Sequence, residues 1–198
     1  MGVRPKFINI VVCGVGGQGI ITLSRIIAES AIKDGVNAIV SETHGLSQRG
    51  GSVEVHVRIG EAYSPLISKG EADLLLSTEM IETARNISYI KEGGVVITSD
   101  TMVRPPIPGV RLPEKEDIIR EIEKNKIEYY LIPSRAIAER LGSYLVENMV
   151  LLGALYRVGG LDRFISIESL KESLSSLRNP ETNIKAFEEG YGYASKKL

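Results

Sequence analysis

The sequence has a single cysteine, Cys13, and two histidines among its 198 residues. One cysteine cannot form an internal disulfide, which favours a reducing, intracellular setting. It also excludes an iron–sulfur cluster or a cysteine-built zinc site within this chain, because such sites need several thiolate ligands. The sequence shows no Ser/His/Asp set, no metal-ligand cluster and no acid pair at a suggestive spacing. The chain on its own therefore does not look like an enzyme.

An excess of charge of one sign and long apolar runs are also lacking. The 24 Lys and Arg nearly balance the 25 Asp and Glu, so bulk electrostatics gives no reason to expect binding to nucleic acid or an anionic membrane. The longest apolar runs fall far short of the ~18–20 residues that a membrane-spanning helix needs. The first residues lead into a strand pattern without a secretory cleavage signal, and we therefore expect a cytoplasmic protein.

Hydrophobic patterning predicts strands that alternate with helices, followed by a wholly helical segment from about residue 134. The predicted strands are 7–12, 37–41, 53–59, 73–77, 95–98 and 129–132. The main predicted helices are 19–34, 79–90, 116–126, 136–141, 144–158, 167–177 and 180–195. The pattern favours a single domain over residues 1–198, of Rossmann-like three-layer α/β/α type, with a mostly parallel (mixed) sheet and a helical C-terminal segment.

Four further expectations concern local features. Gly60 and the next residue look like a turn into a strand at 63–67, which would form a β-hairpin with strand 53–59. Another short strand is expected at 110–112. His56 alternates with valines, and is interpreted as a packed or interfacial side chain rather than a catalytic one. Cys13 is interpreted as a small buried residue.

The most informative motif is the run from Gly14 to Gly19, which follows the first predicted strand and fits the G-x-G-x-x-G spacing of a phosphate-binding unit. Such glycines allow close backbone approach, and the following helix offers free N–H groups to an anion. The turn could hold a nicotinamide or flavin dinucleotide, hold another phosphate-bearing ligand, or only pack the helix on the sheet. Glu42 lies roughly where a dinucleotide site needs an acid, yet it could equally order the loop after it.

That loop, residues 43–52, places His44, Gln48 and Arg49 among three glycines. We expect it at the carboxyl end of a strand beside the glycine turn, where open α/β sheets bind ligands. Arg49 suits a phosphate or carboxylate, whereas the alternative is a loop whose polar groups bond its own backbone. The candidate binding residues of both segments are Gly14, Gly16, Gly17, Gln18, Gly19, His44, Gln48, Arg49, Gly50 and Gly51.

With both segments in view, the chain resembles the γ components of the 2-oxoacid:ferredoxin oxidoreductases. The matching pieces are GVGGQGIIT from Gly14, ETHGLSQRGGSVEVHVRIG from Glu42, SPLISKGEADLLLSTE from Ser64 and ENMVLLGAL from Glu147. The likeness therefore covers most of the chain. The GxGGQG turn is shared by γ components in general, whereas the HGxxQRGGSV loop indicates the indolepyruvate, or aryl-pyruvate, branch.

The resemblance implies a small subunit of a larger enzyme. Such enzymes decarboxylate a 2-oxoacid on thiamine diphosphate, pass electrons through iron–sulfur clusters to ferredoxin and release an acyl-CoA. Because this chain lacks a GDG…NN thiamine signature and cluster cysteines, the resemblance assigns both cofactors to a large α subunit and none to this chain alone. The related domain is associated with coenzyme A binding and with closing the active site. The groups thereby implied as coenzyme A contacts are the backbone N–H groups of Gly16, Gly17 and Gly19 and the side chains of Gln18 and Arg49.

Two alternatives stay open. The chain could serve as the γ subunit for another 2-oxoacid, such as pyruvate, 2-oxoglutarate or a branched-chain 2-oxoacid. It could also be a non-catalytic Rossmann-like scaffold or a dinucleotide-binding module, whose loops form a subunit contact. In isolation we expect it to be inactive, and the sequence leaves open whether it then forms a homodimer.

Overall fold

The computed structural model of the chain describes residues 6–44, 50–104 and 111–195. Within these ranges the strands are β1 (Phe7–Val15), β2 (Ala38–His44), β3 (Ser52–Gly60), β4 (Ala72–Ser77), β5 (Ile90–Ser99) and β6 (Glu128–Ile132). The α-helices are α1 (Ile20–Lys33), α2 (Met80–Asn86), α3 (Lys115–Lys124), α4 (Ser134–Arg140), α5 (Glu147–Val158), α6 (Ile167–Ser175) and α7 (Pro180–Ser195). In the same ranges, no helix combines the length and apolar character needed to cross a bilayer.

The six strands form one sheet in the order β2-β3-β1-β4-β5-β6. β1, β4, β5 and β6 are parallel neighbours, whereas β3 runs antiparallel to both β1 and β2. The prediction of a mostly parallel, mixed sheet is confirmed. Because β3 is reversed, it begins at the edge of the sheet where β1 and β2 end.

The predicted hairpin between 53–59 and 63–67 is wrong. β3 forms its hairpin with β2, and because β1 occupies its other side, it has no free edge for a strand at 63–67. Side chains of β3 bind this segment instead. The Ile67 N–H donates to His56 Nδ1 at 2.9 Å, and the Arg58 guanidinium donates to two backbone carbonyls of the segment. The segment is therefore tied to β3 without joining the sheet.

The two faces of the sheet are covered by different helices. Ile10 and Val12 of β1 point to the face covered by α1 and by α4 to α7. Val11 and Cys13 point to the opposite face, on whose side α2 and α3 pack around a small core of their own. This arrangement confirms the three-layer α/β/α prediction.

Helix α5 is the centre of the C-terminal segment, and ten of its 12 residues are buried. It crosses α7 so closely that a Cβ on Gly153 would lie 1.9 Å from the Phe187 carbonyl oxygen. A Cβ on Gly190 would lie 1.8 Å from the Val150 carbonyl oxygen. Two glycines therefore make the contact of this buried helix with α7 possible.

Three smaller predictions have different outcomes. Cys13 is fully buried and His56 is 3% exposed, which confirms that both side chains are packed in the interior. The expected strand at 110–112 is not formed at residues 111 and 112, while residue 110 lies outside the described residues. Prolines 106, 108 and 113 surround this stretch, and proline cannot donate to a strand ladder.

Candidate functional site

The glycine turn joins the end of β1 to the start of α1, and its glycines are required by the local structure. Gly17 and Gly19 have φ angles of +104° and +76°, in the left-handed region that favours glycine. A Cβ on Gly19 would also lie 2.3 Å from Asn148 Nδ2. A Cβ on Gly14 would lie 1.9 Å from Thr78 Oγ1. Packing alone therefore accounts for part of the motif.

The glycine turn is hydrogen bonded to the end of the β2–β3 loop (residues 45–51). The Gly16 N–H donates to the Gly51 carbonyl at 2.8 Å, and the Gly50 N–H donates to the Gly16 carbonyl at 3.3 Å. The Ser52 hydroxyl donates to Glu82 Oε2 at 2.5 Å, which anchors the end of the loop to α2. The structure thus brings the two segments together at the carboxyl ends of β1 and β2.

Three of the candidate side chains cannot be located at this site. His44 is the last residue of β2, so its backbone lies at the same edge of the sheet, but its side chain lies outside the described structure. Gln48 and Arg49 fall within 45–49, which is also outside the described residues. A contact between these three side chains and a ligand stays a prediction.

Gln18 has a structural role that the sequence did not indicate. Its Oε1 accepts hydrogen bonds from the Val15 N–H at 2.8 Å and from the Thr78 hydroxyl at 2.7 Å. The side chain therefore closes the turn onto β1 and links it to the residue that follows β4. No described residue accepts a hydrogen bond from its Nε2, which leaves two donors for a ligand.

Helix α1 begins without a side-chain cap, because its N-cap residue is Gly19, and its first turn contains no acidic residue. The first N–H groups of a helix have no intrahelical acceptor and carry the positive end of the helix dipole. Asn148 Nδ2 donates to the Gly19 carbonyl at 3.2 Å. The N–H groups at this terminus thus form a site suited to phosphate or carboxylate.

A cavity of about 310 Å³ opens beside the glycine turn, between it and the C-terminal helices. We call it the turn cavity. Its polar and aromatic lining includes Thr22, Thr78, Arg135, Tyr144, Asn148 and Arg178. Its volume lies at the lower end of the roughly 300–1,000 Å³ typical of small-ligand sites. Sequence reasoning did not select these residues, although Asn148 lies within the matching piece ENMVLLGAL.

One wall of the turn cavity is fixed by the buried carboxylate of Glu147, in the first turn of α5. Its Oε1 accepts hydrogen bonds from the hydroxyls of Ser99, Thr101 and Ser134 at 3.1, 3.2 and 2.9 Å. Its Oε2 lies 3.7 Å from the Arg135 guanidinium. This cluster joins the ends of β5 and β6 to α5 and so positions Asn148, the next residue, against the glycine turn.

The described residues do not fit a metal or a cluster. They contain no group of three or more His, Cys, Asp or Glu side chains that could hold a metal ion. Burial raises the pKa of the Cys13 thiol well above its ordinary value, and thiolate is the form that binds metals. The cavity and the glycine turn therefore offer hydrogen-bond donors and positive charge, not metal ligands.

Comparison with known proteins identifies the family. Residues 9–193 match the model of the family described as Pyruvate ferredoxin/flavodoxin oxidoreductase. The chain is 40% identical over 194 residues to "Indolepyruvate oxidoreductase subunit IorB" of Methanothermobacter thermautotrophicus, covering 95% of this chain and 98% of the relative.

Two solved structures share the fold over nearly the whole chain. The γ subunit of a keto/oxoacid ferredoxin oxidoreductase from Geobacter sulfurreducens matches with a TM-score of 0.71 and 28% identity, covering 96% of this chain and 99% of that one. A 2-oxoglutarate:ferredoxin oxidoreductase from Magnetococcus marinus, with 2-oxoglutarate, coenzyme A and succinyl-CoA bound, matches with a TM-score of 0.73 and 25% identity. That match covers 97% of this chain and 32% of the longer one. The chain belongs to the pyruvate ferredoxin/flavodoxin oxidoreductase family, as a γ-type small subunit of a 2-oxoacid:ferredoxin oxidoreductase.

Proposed function

We propose that the chain is the small subunit of an indolepyruvate, or aryl-pyruvate, ferredoxin oxidoreductase. The assembled enzyme converts the 2-oxoacid, coenzyme A and oxidised ferredoxin into an aryl-acetyl-CoA, carbon dioxide and reduced ferredoxin. The 40% identity to an indolepyruvate oxidoreductase subunit over nearly its whole length supports this substrate. A large subunit supplies thiamine diphosphate and the iron–sulfur clusters, since this chain has a single cysteine and lacks the GDG…NN thiamine signature.

Within that enzyme, we propose that the glycine turn and the β2–β3 loop form one wall of the coenzyme A site. The observation that carries this proposal is the pair of hydrogen bonds between the turn and the loop, one donated and one accepted by Gly16, beside a helix terminus that has no side-chain cap. The bound coenzyme A of the Magnetococcus relative supports the choice of ligand. The proposed contact residues are Gly14, Gly16, Gly17, Gln18, Gly19, His44, Gln48, Arg49, Gly50 and Gly51.

Mutation of the loop arginine tests the coenzyme A site in the assembled complex. Arg49→Ala should raise the KM for coenzyme A about tenfold, which corresponds to the loss of roughly 1.4 kcal/mol of binding, and should leave the KM for the 2-oxoacid unchanged. Arg25→Ala is the matched control, because Arg25 is an exposed arginine of α1 that pairs with Glu29 at 3.6 Å. An unchanged KM for coenzyme A and unchanged turnover in the Arg49→Ala complex would contradict the proposal.

Substrate choice is tested separately, by ferredoxin reduction with indolepyruvate, phenylpyruvate, pyruvate and 2-oxoglutarate. We expect the highest kcat/KM with the aryl-substituted acids. A preference for pyruvate or 2-oxoglutarate would instead assign the chain to another branch of the family. The Magnetococcus structure makes this a real alternative, because a 2-oxoglutarate enzyme has the same fold.

A second candidate is a scaffold or dinucleotide-binding module, and one observation favours it. Contacts within the chain account for the identity of Gly14, Gly19 and Gln18. These residues therefore need no ligand, as expected of a scaffold. Titration of the complex with NADH and with coenzyme A separates the alternatives. Binding of NADH alone would indicate a dinucleotide module, and binding of neither would indicate a scaffold.

A further inference from the structure

The carboxylate of Glu82, in the first turn of α2, is buried and is directed away from its own helix toward the start of β3. We infer that Glu82 is a positioning residue, which acts through Ser52 to hold the end of the β2–β3 loop against the glycine turn and so sets where the loop presents Arg49. The inference deepens the proposed function and rests on it for the ligand of that arginine, coenzyme A.

Helix capping does not account for the Glu82 side chain. Glu82 is the third residue of α2, whose N-cap is Glu79. In a capping box, the side chain at that position accepts a hydrogen bond from the backbone N–H of the N-cap residue. Here the Glu79 N–H donates to the Ser77 hydroxyl at 3.3 Å instead, while Glu82 Oε2 accepts the Ser52 hydroxyl at 2.5 Å. The carboxylate therefore connects two distant segments rather than the end of its own helix.

The position of the Glu82 carboxylate is energetically costly and firmly fixed. The residue is 4% exposed, and burying a carboxylate is unfavourable unless hydrogen bonds or opposite charge compensate it. Its Oε1 lies 3.2 Å from the Arg85 guanidinium. The Glu82 N–H donates to Glu79 Oε2 at 2.8 Å, and its carbonyl accepts from Asn86 Nδ2 at 2.9 Å. The side chain therefore offers Ser52 a hydrogen-bond acceptor in a fixed place.

Ser52 is the residue at which the loop joins the sheet, because it is the first residue of β3. Directly before it, the Gly51 carbonyl accepts from the Gly16 N–H at 2.8 Å, and the Gly50 N–H donates to the Gly16 carbonyl at 3.3 Å. Both hydrogen bonds are made by backbone groups, whereas the bond from Ser52 to Glu82 depends on the two side chains. A hydrogen bond to a carboxylate is stronger than one between neutral groups. Its loss should therefore loosen the two glycine contacts.

The effect on the ligand follows from the sequence of the loop. Arg49 immediately precedes Gly50, and a peptide group is planar, so holding the Gly50 N–H restricts the point from which the arginine side chain extends. An arginine on a restricted backbone loses less conformational freedom when it binds an anion. Loss of the Glu82 contact should therefore weaken coenzyme A binding and leave binding of the 2-oxoacid unchanged.

The first experiment compares Glu82→Ala, Ser52→Ala and their combination in the assembled complex. Each single variant should raise the KM for coenzyme A about fivefold and leave the KM for the 2-oxoacid unchanged. The combined variant should have no larger effect, because both changes remove the same hydrogen bond. Glu82→Gln keeps an acceptor oxygen and should restore most of the affinity. Glu54→Gln is the matched control, because this carboxylate of β3 is hydrogen bonded to His56 and Tyr89 and not to the loop.

Amide hydrogen exchange of the full chain gives a second readout, which does not depend on coenzyme A. In Glu82→Ala and Ser52→Ala, the N–H groups of Gly16 and Gly50 should exchange about fivefold faster or more. The Ile67 N–H, which donates to a side chain of β3, should keep its rate. Faster exchange at all three groups would show general loosening of the fold and would overturn the inference.

Failure of this inference can be distinguished from failure of the proposed function. If the KM for coenzyme A responds to Arg49→Ala but not to Glu82→Ala or Ser52→Ala, the positioning role is overturned and the proposed function stands. If the two glycine N–H groups exchange faster in both variants while no variant, Arg49→Ala included, changes that KM, the positioning of the loop is supported and coenzyme A is the wrong ligand. An equal rise in the KM with Glu54→Gln would also overturn the inference.

Discussion

Gly19→Ala should destabilise the fold through two separable effects. The first is conformational, because Gly19 has a φ of +76° and an L-residue in the left-handed region costs roughly 1–2 kcal/mol. The second is steric, because the new Cβ would lie 2.3 Å from Asn148 Nδ2. Asn148 must then move and lose its 3.2 Å hydrogen bond to the Gly19 carbonyl, which costs about 1 kcal/mol.

The sum predicts a loss of roughly 2–3 kcal/mol in the free energy of unfolding. Gly17→Ala provides the matched control, because Gly17 has a φ of +104° but nothing within 4 Å of its would-be Cβ. That variant should lose only the conformational part, roughly 1–2 kcal/mol. The difference between the two variants therefore measures the packing of Asn148 on the glycine turn.

Urea unfolding of the chain and of four variants would test this reasoning as a double-mutant cycle. In an Asn148→Ala background, Gly19→Ala should cost no more than Gly17→Ala does, because the steric conflict has been removed. Equal destabilisation by Gly17→Ala and Gly19→Ala, with strictly additive effects of Gly19→Ala and Asn148→Ala, would refute the steric argument. Unchanged stability of the Gly17→Ala variant would show that the left-handed backbone conformation carries no such cost.

Four other predictions concern regions outside the site. The pKa of Asp34 is lowered, above all by a hydrogen bond from Ser169. The ionised carboxylate therefore stabilises the fold above pH 3.8, and this stabilisation is lost as the pH falls through the lowered pKa. Asp34→Asn should therefore cost about 1 kcal/mol in urea unfolding at pH 7, discounted for solvent exposure, and little near pH 2. Gly153→Ala, whose Cβ would lie 1.9 Å from a backbone oxygen of α7, should cost roughly 3 kcal/mol or more. Gly192→Ala in α7, which has nothing within 4 Å of its Cβ, should gain about 0.5–1 kcal/mol, and a loss there would contradict the argument from space. Cys13 should resist alkylation until denaturant is added, because it is fully buried; rapid labelling of the native chain would show that this core opens.

The sequence predicted the strands of the sheet, because buried parallel strands have continuous apolar runs and their alternation with helices restricts the topology. The predicted strand pairing of 63–67 is wrong, because a short apolar segment does not specify which strand it lies beside. The pairing depends on β3 lying between β1 and β2, which no local pattern indicates. Ile67 is buried there without belonging to a strand.

The candidate site was predictable only where the motif is local. The glycine turn was found from its spacing, whereas Asn148, which contacts it, lies 129 positions further along the chain. Tyr144 begins a predicted helical segment and Arg178 lies between two others. Apolar periodicity indicates which residues are buried, and not which polar residues face a cavity. Thr78 could have been found, because it follows β4, a strand that pairs directly with β1.

The contact between Asn148 and Gly19 also has a consequence for synthesis of the chain on the ribosome. A nascent chain that has emerged through β4 already contains the glycine turn and its parallel strand partner. It does not yet contain the asparagine that packs on the turn, because three quarters of the protein must be translated first. Contacts that close such a long loop form late and slowly. A ribosome-bound chain that stops before α5 therefore lacks the asparagine that completes the glycine turn, so assembly with a larger subunit through this edge of the sheet is expected to follow translation of α5.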